Sequence, residues 1–342
     1  MGIARSVSKM VGYLPLASSA ALAIARRGAP IFMLHRVLPA GTMSYSAEMV
    51  ISSDAFDALL TWLTRHFEIA PLGTIAARVS ARQSLRGLCC LTFDDGWVDN
   101  YQHALPVLEQ HHAPATIFLV SRFIGSAHRL WQERLWMCLQ NGPQESLRGL
   151  MEEWRRRAPA WAALPVEAEY GPLRRFLLTR PSSEAEQFAY AVQSLSPDAV
   201  PGDGAFLDWD QVRTMQARGI EFGAHTQHHV LLTHASAEEA WNEIDGSRRE
   251  LQSQLGTEVG SFAYPWGAVN AAARQLVRDA GFRCAVGIQA GVAAPGADPW
   301  VLPRIFVADS VTRAADGTLA RSDFSFYLAW NSISRGGHGA DY

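Results

Sequence analysis

The chain has 342 residues, 48% of them hydrophobic, which is enough for one large α/β domain with additions or for two smaller domains, and excludes a disordered chain. A formal net charge of -3 excludes the global basic field that draws a protein to nucleic acid. The basic residues are nearly all arginine, so any anion recognition must be local.

The N-terminal run Val11 to Ala25 follows Arg5 and Lys9 and superficially resembles a signal peptide. It is too short and interrupted to span a membrane. Arg26 and Arg27 follow at once, and the next strand starts a few residues later. The expectation is therefore an uncleaved helix within residues 1–29, packed on the domain or lying on a membrane surface. Ile31 to Val37 reads as a buried strand carrying His35. Ser52 to Phe67 reads as a capped amphipathic helix with Phe56, Leu59, Leu60, Leu63 and Phe67 on one face. Gly87 to Phe93 is the next strand, followed by a helix around Tyr101 to Gln110 and a strand from Ala115 to Val120. After a long interruption come a helix near Trp209 to Arg218, the strand Gly219 to Ala224, a helix near Ala237 to Leu255, the strand Gly260 to Ala263, a helix over Ala271 to Ala280, and the strand Phe282 to Gly287. Strand followed by helix, repeated, implies a parallel sheet with helices outside, doubly wound or closed into a barrel.

The interruption, roughly His128 to Ala205, breaks that rhythm with helical pieces bounded by prolines. Leaving from the C-terminal end of a strand, it is expected to form a helical lid near the chemistry. Trp131 and Trp136 would offer faces to sugar rings there, and Arg155 to Arg157 would meet phosphate or uronate groups. The plainer alternative buries the tryptophans in their own domain and points the arginines around a solvated helix. Cys89, Cys90, Cys138 and Cys284 show no C-x-x-C spacing and read as buried free thiols of a reducing compartment, which points to the cytoplasm, with the inner face of the membrane as a possible station.

Two stretches carry chemistry. In Thr92-Phe93-Asp94-Asp95-Gly96, paired carboxylates end an apolar strand; in His225-Thr226-Gln227-His228-His229, two histidines four residues apart follow another. Such histidines converge on one cation if the backbone curls, and a carboxylate completes three protein ligands. In a parallel α/β fold both stretches lie at the C-terminal ends of strands and so meet on one face. Neighbouring residues on an extended chain point in different directions, so one aspartate can hold a metal while the other takes a proton from an attacking water. The plain alternative is that the aspartates cap a turn and the histidines are surface residues.

These two motifs resemble the first two signatures of the polysaccharide deacetylases, the NodB-homology or carbohydrate esterase family 4. The resemblance runs from the strand bearing His35 to about Val307. It implies an irregular (β/α)7 barrel over residues 30–127 and 206–310, with the helical insertion at 128–205 and a C-terminal helix and tail at 311–342. It also implies Asp94 as general base, and Asp95, His225 and His229 as ligands of a divalent metal, zinc in the first place with cobalt, nickel or manganese as alternatives. The family's third motif, an arginine followed by proline and tyrosine, stands here as Ala263-Tyr264-Pro265-Trp266-Gly267. Tyr264 and Pro265 would line the substrate, and the backbone N–H at Trp266 would serve the oxyanion. Ala263 replaces the arginine that orients the base, and Arg304 is the candidate substitute, against its reading as a surface residue. The family's usual acid, a histidine in a Leu-x-His motif, is not found; His338 sits in a glycine-rich tail, and His35 is the alternative, against its reading as a core histidine. His103, His111, His112, His228 and His234 are assigned no role.

The implied activity is removal of N-acetyl groups from a glycan or lipid-linked sugar. O-acetyl ester hydrolysis, a degenerate glycan-binding barrel and a non-heme iron oxygenase are the competing readings; the second aspartate favours hydrolysis.

Overall fold

Apolar runs that are buried on both faces form parallel strands covered by helices, and this chain has seven of them in one closed ring. The structure, a computed structural model, describes residues 15–44, 46–200, 205–314 and 318–333. In chain order the barrel strands are β1 (Ala29–Leu34), β2 (Leu88–Phe93), β3 (Thr116–Leu119), β4 (Glu221–Ala224), β5 (Ser261–Ala263), β6 (Cys284–Ala290) and β7 (Leu302–Phe306). Each pairs in parallel with the next, and β1 closes the ring by pairing with β2 through Ile31 to Leu34 and with β7 through Phe32 and Met33. The barrel is irregular. Val292–Ala293 adds antiparallel to β1, and the β6–β7 register slips between Leu302 and Arg304.

Closure brings the C-terminal ends of β1, β2, β4 and β5 to one rim, where His35, Asp94, His225 and Tyr264 each follow directly on a strand. The backbone fixes them: Asp94 N–H donates to Leu34 O at 3.0 Å and His225 N–H to Leu119 O at 2.9 Å.

Several expected elements end differently. The strand expected over Ile31 to Val37 breaks at His35, and Arg36–Leu38 leaves the barrel to pair with Val50–Ser52. The break frees the His35 carbonyl, which accepts from Asn100 Nδ2 at 2.9 Å. Ser52 occupies the cap position before the helix Ser53–His66, yet its hydroxyl caps nothing; it donates to Asp309 Oδ1 at 2.8 Å and ties that helix to the segment after β7. The helix expected from Tyr101 begins as a wide π turn, Asn100–Ala104. The helix Pro15–Ala25 packs on Arg321–Ile333. Among the described residues no helix is long and apolar enough to cross a membrane. His338 and the tail lie outside the described residues.

The chain divides into two compact units, the second being Ser126–Ala205 with Met43–Ala47. That unit has its own core, in which Trp154 meets Trp161 edge-on at 4.5 Å and Phe188 at 5.1 Å. Here the structure corrects the reading of Trp131 as a sugar platform: its side chain belongs to this core and is 7% exposed. Trp136 is half-buried. Arg156 and Arg157 extend toward Glu152 and Glu153 one turn back, both at 3.9 Å, and all three arginines close the helix Gln144–Arg157 at the end where its dipole favours cations.

All four cysteines are free and buried, and burial pushes the Cys89 and Cys90 thiols far above the ordinary thiol range and that of Cys284 up to about 12. A thiol reagent such as Ellman's is expected to find none of the four in the native protein and all four after denaturation, the count being read from absorbance; rapid native reaction would contradict the burial.

Candidate active site

The turn after β2 separates its two carboxylates by conformation. Asp95 is not extended, as the sequence reading assumed, but adopts a left-handed backbone at φ 76°, and Gly96 follows at φ 80°. At that φ any side chain on residue 96 would be strained, and its Cβ would also meet Leu119 Cδ2 at 2.6 Å, so the turn favours glycine. Asp94 is thereby aimed at the barrel interior and Asp95 at the loop after β4.

Asp94 is gripped by Arg304 of β7. The guanidinium donates from Nη1 to Oδ1 and from Nη2 to Oδ2, both at 2.7 Å, from Nη1 to Thr92 Oγ1 at 3.2 Å, and from Nε to Gly287 O at 2.7 Å. Gly287 lies at the β6–β7 irregularity, so the slipped register presents the carbonyl that orients the arginine. Arg304 is 1% exposed, which excludes its reading as a surface residue. Burial alone would raise Asp94, but the Arg304 charge and hydrogen bonds, aided by His225 and His35, hold it well below the usual carboxylate range.

Asp95 faces the histidines. Its Oδ1 lies 3.6 Å from His225 Nε2 and 3.4 Å from His229 Nε2, and one donor atom from each of the three residues falls within a mutual 4.8 Å. Ligands bound at about 2.0–2.1 Å around a tetrahedral centre sit roughly 3.4 Å apart, so the residues present fit a small divalent ion of the zinc type. The imidazoles fit chemically as well. His225 Nδ1 lies 2.8 Å from Ala263 O, which makes Nδ1 the protonated nitrogen and leaves the Nε2 lone pair for a cation. Burial pushes both His225 and His229 down to about 4, so both rings are neutral ligands at ordinary pH.

The curl that brings the two histidines together is left-handed at Thr226 (φ 64°) and His229 (φ 58°). Thr226 Oγ1 accepts from His229 N–H at 2.9 Å and donates to the His225 carbonyl at 2.6 Å. Glu243 braces the same loop by accepting from the N–H groups of Gln227 and His228 and lying 2.7 Å from the His228 ring. With Trp266 at φ 59°, four of the six non-glycine residues found in this region of backbone space among the described residues belong to the site, the others being Arg82 and His112. Such strain persists only where the surroundings impose it.

The remaining candidates divide. His35 is buried, with Nε2 3.9 Å from Asp94 Oδ2 and Nδ1 without a hydrogen-bond partner among the described residues. The Trp266 ring stands 5.6 Å from that of His229. Tyr264 does not line an open surface: it is fully buried against Phe262, and its hydroxyl donates to Trp300 O at 3.0 Å. Pro265 is buried in the following turn, so both are corrected from substrate contacts to supports of the Trp266 backbone. Sequence reasoning missed Thr92, Trp97, Thr226 and Glu243. The first three sit within or beside the two motifs, but Glu243 is a mid-helix glutamate with no local signal.

A closed parallel barrel with two imidazoles and a carboxylate on one rim, beside a second carboxylate held by arginine, defines an α/β barrel with a candidate metal centre at its C-terminal rim. The family model for polysaccharide deacetylase matches residues 82–285, well over half the chain. The chain belongs to the polysaccharide deacetylase family, hydrolases of acetylated glycans. The matched segment includes Asp94, Asp95, His225 and His229, whereas His35 and Arg304 fall outside it. The curated "Putative polysaccharide deacetylase YxkH" of Bacillus subtilis (strain 168) is 30% identical over 115 residues, 33% of this chain and 39% of that protein, so the chain spans about two-fifths of that relative's length. Among solved structures, IcaB from Ammonifex degensii superposes with a TM-score of 0.58 at 19% identity, covering 89% of this chain and 97% of that one. The Streptococcus pyogenes deacetylase PplD in complex with acetate gives 0.55 at 20%, covering 83% and 94%. At such identities these two share the fold.

Replacing Arg304 by Gln strands a buried carboxylate, a loss of about 3–5 kcal/mol for a broken buried pair. Since Arg304 is what keeps Asp94 ionised, stability tied to it is present above the ordinary carboxylate range and lost as pH falls through the lower folded value. In Arg304→Gln the acid limb of kcat/KM is expected to move to higher pH and the melting temperature to fall. An unmoved limb would contradict the pairing.

Proposed function

We propose that this chain is a metal-dependent deacetylase that hydrolyses N-acetyl groups of a glycan or lipid-linked sugar. The observation that carries the proposal is the division between two adjacent aspartates: Asp95 joins His225 and His229, while Asp94 is held apart by Arg304.

A divalent ion held by Asp95, His225 and His229, zinc being the best fit, would polarise the acetyl carbonyl and make a water acidic enough to attack it. The chain's own groups would do the rest. Asp94, ionised at every working pH, receives the proton of the attacking water. Arg304 weakens it as a base but fixes both its oxygens, so orientation is gained where basicity is given up. As the carbonyl carbon becomes tetrahedral, the Trp266 N–H, presented by its left-handed turn, donates to the oxygen that gains charge. The C–N bond then breaks. The amine must take a proton as it departs, and His35, buried beside Asp94, is the group placed to give it. Acetate and a free amino sugar result. Four buried free thiols are consistent with a reducing, cytoplasmic setting.

Asp94→Asn is expected to bind metal with native stoichiometry and to lose acetate release from N-acetylated oligosaccharides by at least about a hundredfold, the usual scale for a general base. Asp95→Ala, His225→Ala and His229→Ala should lose both. Metal analysis with an acetate assay reads the difference, and normal turnover in Asp94→Asn would overturn the base assignment.

For His35→Ala, turnover on amides should fall far more than on activated acetyl esters, whose leaving groups need little protonation. Equal losses on both would remove its acid role.

A further inference from the structure

Asp95 has two oxygens, and the histidines engage only one. The second, Oδ2, lies 2.8 Å from the indole Nε1 of Trp97, two residues further along the same turn. An indole N–H can only donate, so the direction of this bond is fixed. The ring cannot readily turn away. It is 1% exposed, stacks on Phe206 at 4.7 Å and carries the Arg36 guanidinium 4.3 Å from its centroid. Arg36 is itself tied to Asp99 by a 2.8 Å bond from Nε to Oδ2, and Asp99 Oδ1 accepts the Val37 N–H at 2.9 Å. A chain of packed groups therefore runs from the segment after β1 through Trp97 to one oxygen of Asp95.

Resting on the metal reading above, we propose that Trp97 is a positioning residue that holds Asp95 as a one-oxygen ligand and keeps the coordination position beside it open for the reactants. A carboxylate free to rotate offers both oxygens to a divalent ion and would fill a place that a hydrolytic site must leave vacant. With Oδ2 held by the indole, Oδ1 alone faces the two imidazoles.

The test uses the full chain loaded with Co(II), whose visible absorption reports coordination number. Trp97→Phe keeps an aromatic ring against Phe206 and Arg36 and deletes the donor; Trp97→His returns a ring N–H. The native protein is expected to take one cobalt with the intense bands of a low-coordinate site. In Trp97→Phe the bands should weaken as Oδ2 enters, affinity by chelator competition should change by about ten- to a hundredfold, and kcat should fall with KM little altered. Trp97→His should recover part of the native spectrum. A folded Trp97→Phe with native spectrum and affinity overturns the proposal, as does equal impairment of both variants, which would make ring packing the cause. A native chain that takes up no cobalt overturns the metal reading itself and this inference with it.

Discussion

Two carboxylates on neighbouring residues, both nearly inaccessible to water, would repel each other and lose most of their hydration unless each found its own compensation. The bidentate pair between Asp94 and Arg304 is the interaction on which the rest of the site depends. It neutralises one member of the pair inside the barrel, while the other stands among two neutral imidazoles and an indole N–H. Without it, the low-dielectric interior would favour a protonated Asp94, useless for accepting a proton.

The pair also explains local features that otherwise look like defects. Arg304 reaches Asp94 past the one intervening strand, β1, and is oriented by a carbonyl that the β6–β7 slip exposes. On the opposite side of the cluster, the loop after β4 spends two left-handed residues on bringing His225 and His229 together, with Thr226 and Glu243 absorbing the backbone polar groups that the curl leaves unpaired. The imposed geometry of a rigid barrel rim holds these conformations in place.

Much of this was legible in the sequence, for physical reasons. Buried parallel strands are apolar throughout, so the β-then-α rhythm survived reading, and the two motifs lie at strand ends where any parallel barrel must gather them. Arg304 could be nominated because an arginine was missing at Ala263, an inference from absence that the 1% exposure and two 2.7 Å bonds now place beside Asp94. What escaped was conformation and direction. The left-handed turn at Asp95 cannot be read from residue type, since aspartate enters that region more readily than most residues yet only rarely, the break at His35 hides within an apolar run, and nothing in the sequence says that Tyr264 turns inward to Trp300 or that Trp131 closes the core of the insertion.

The central claim is the division of labour between Asp94 and Asp95, and anomalous diffraction at the zinc edge from zinc-soaked crystals tests it most directly. The account predicts one strong peak bonded to His225 Nε2, His229 Nε2 and a single oxygen of Asp95, with Asp94 still paired to Arg304. A peak bonded to Asp94, a peak held by both oxygens of Asp95, or no peak at this cluster at full zinc occupancy elsewhere would contradict it.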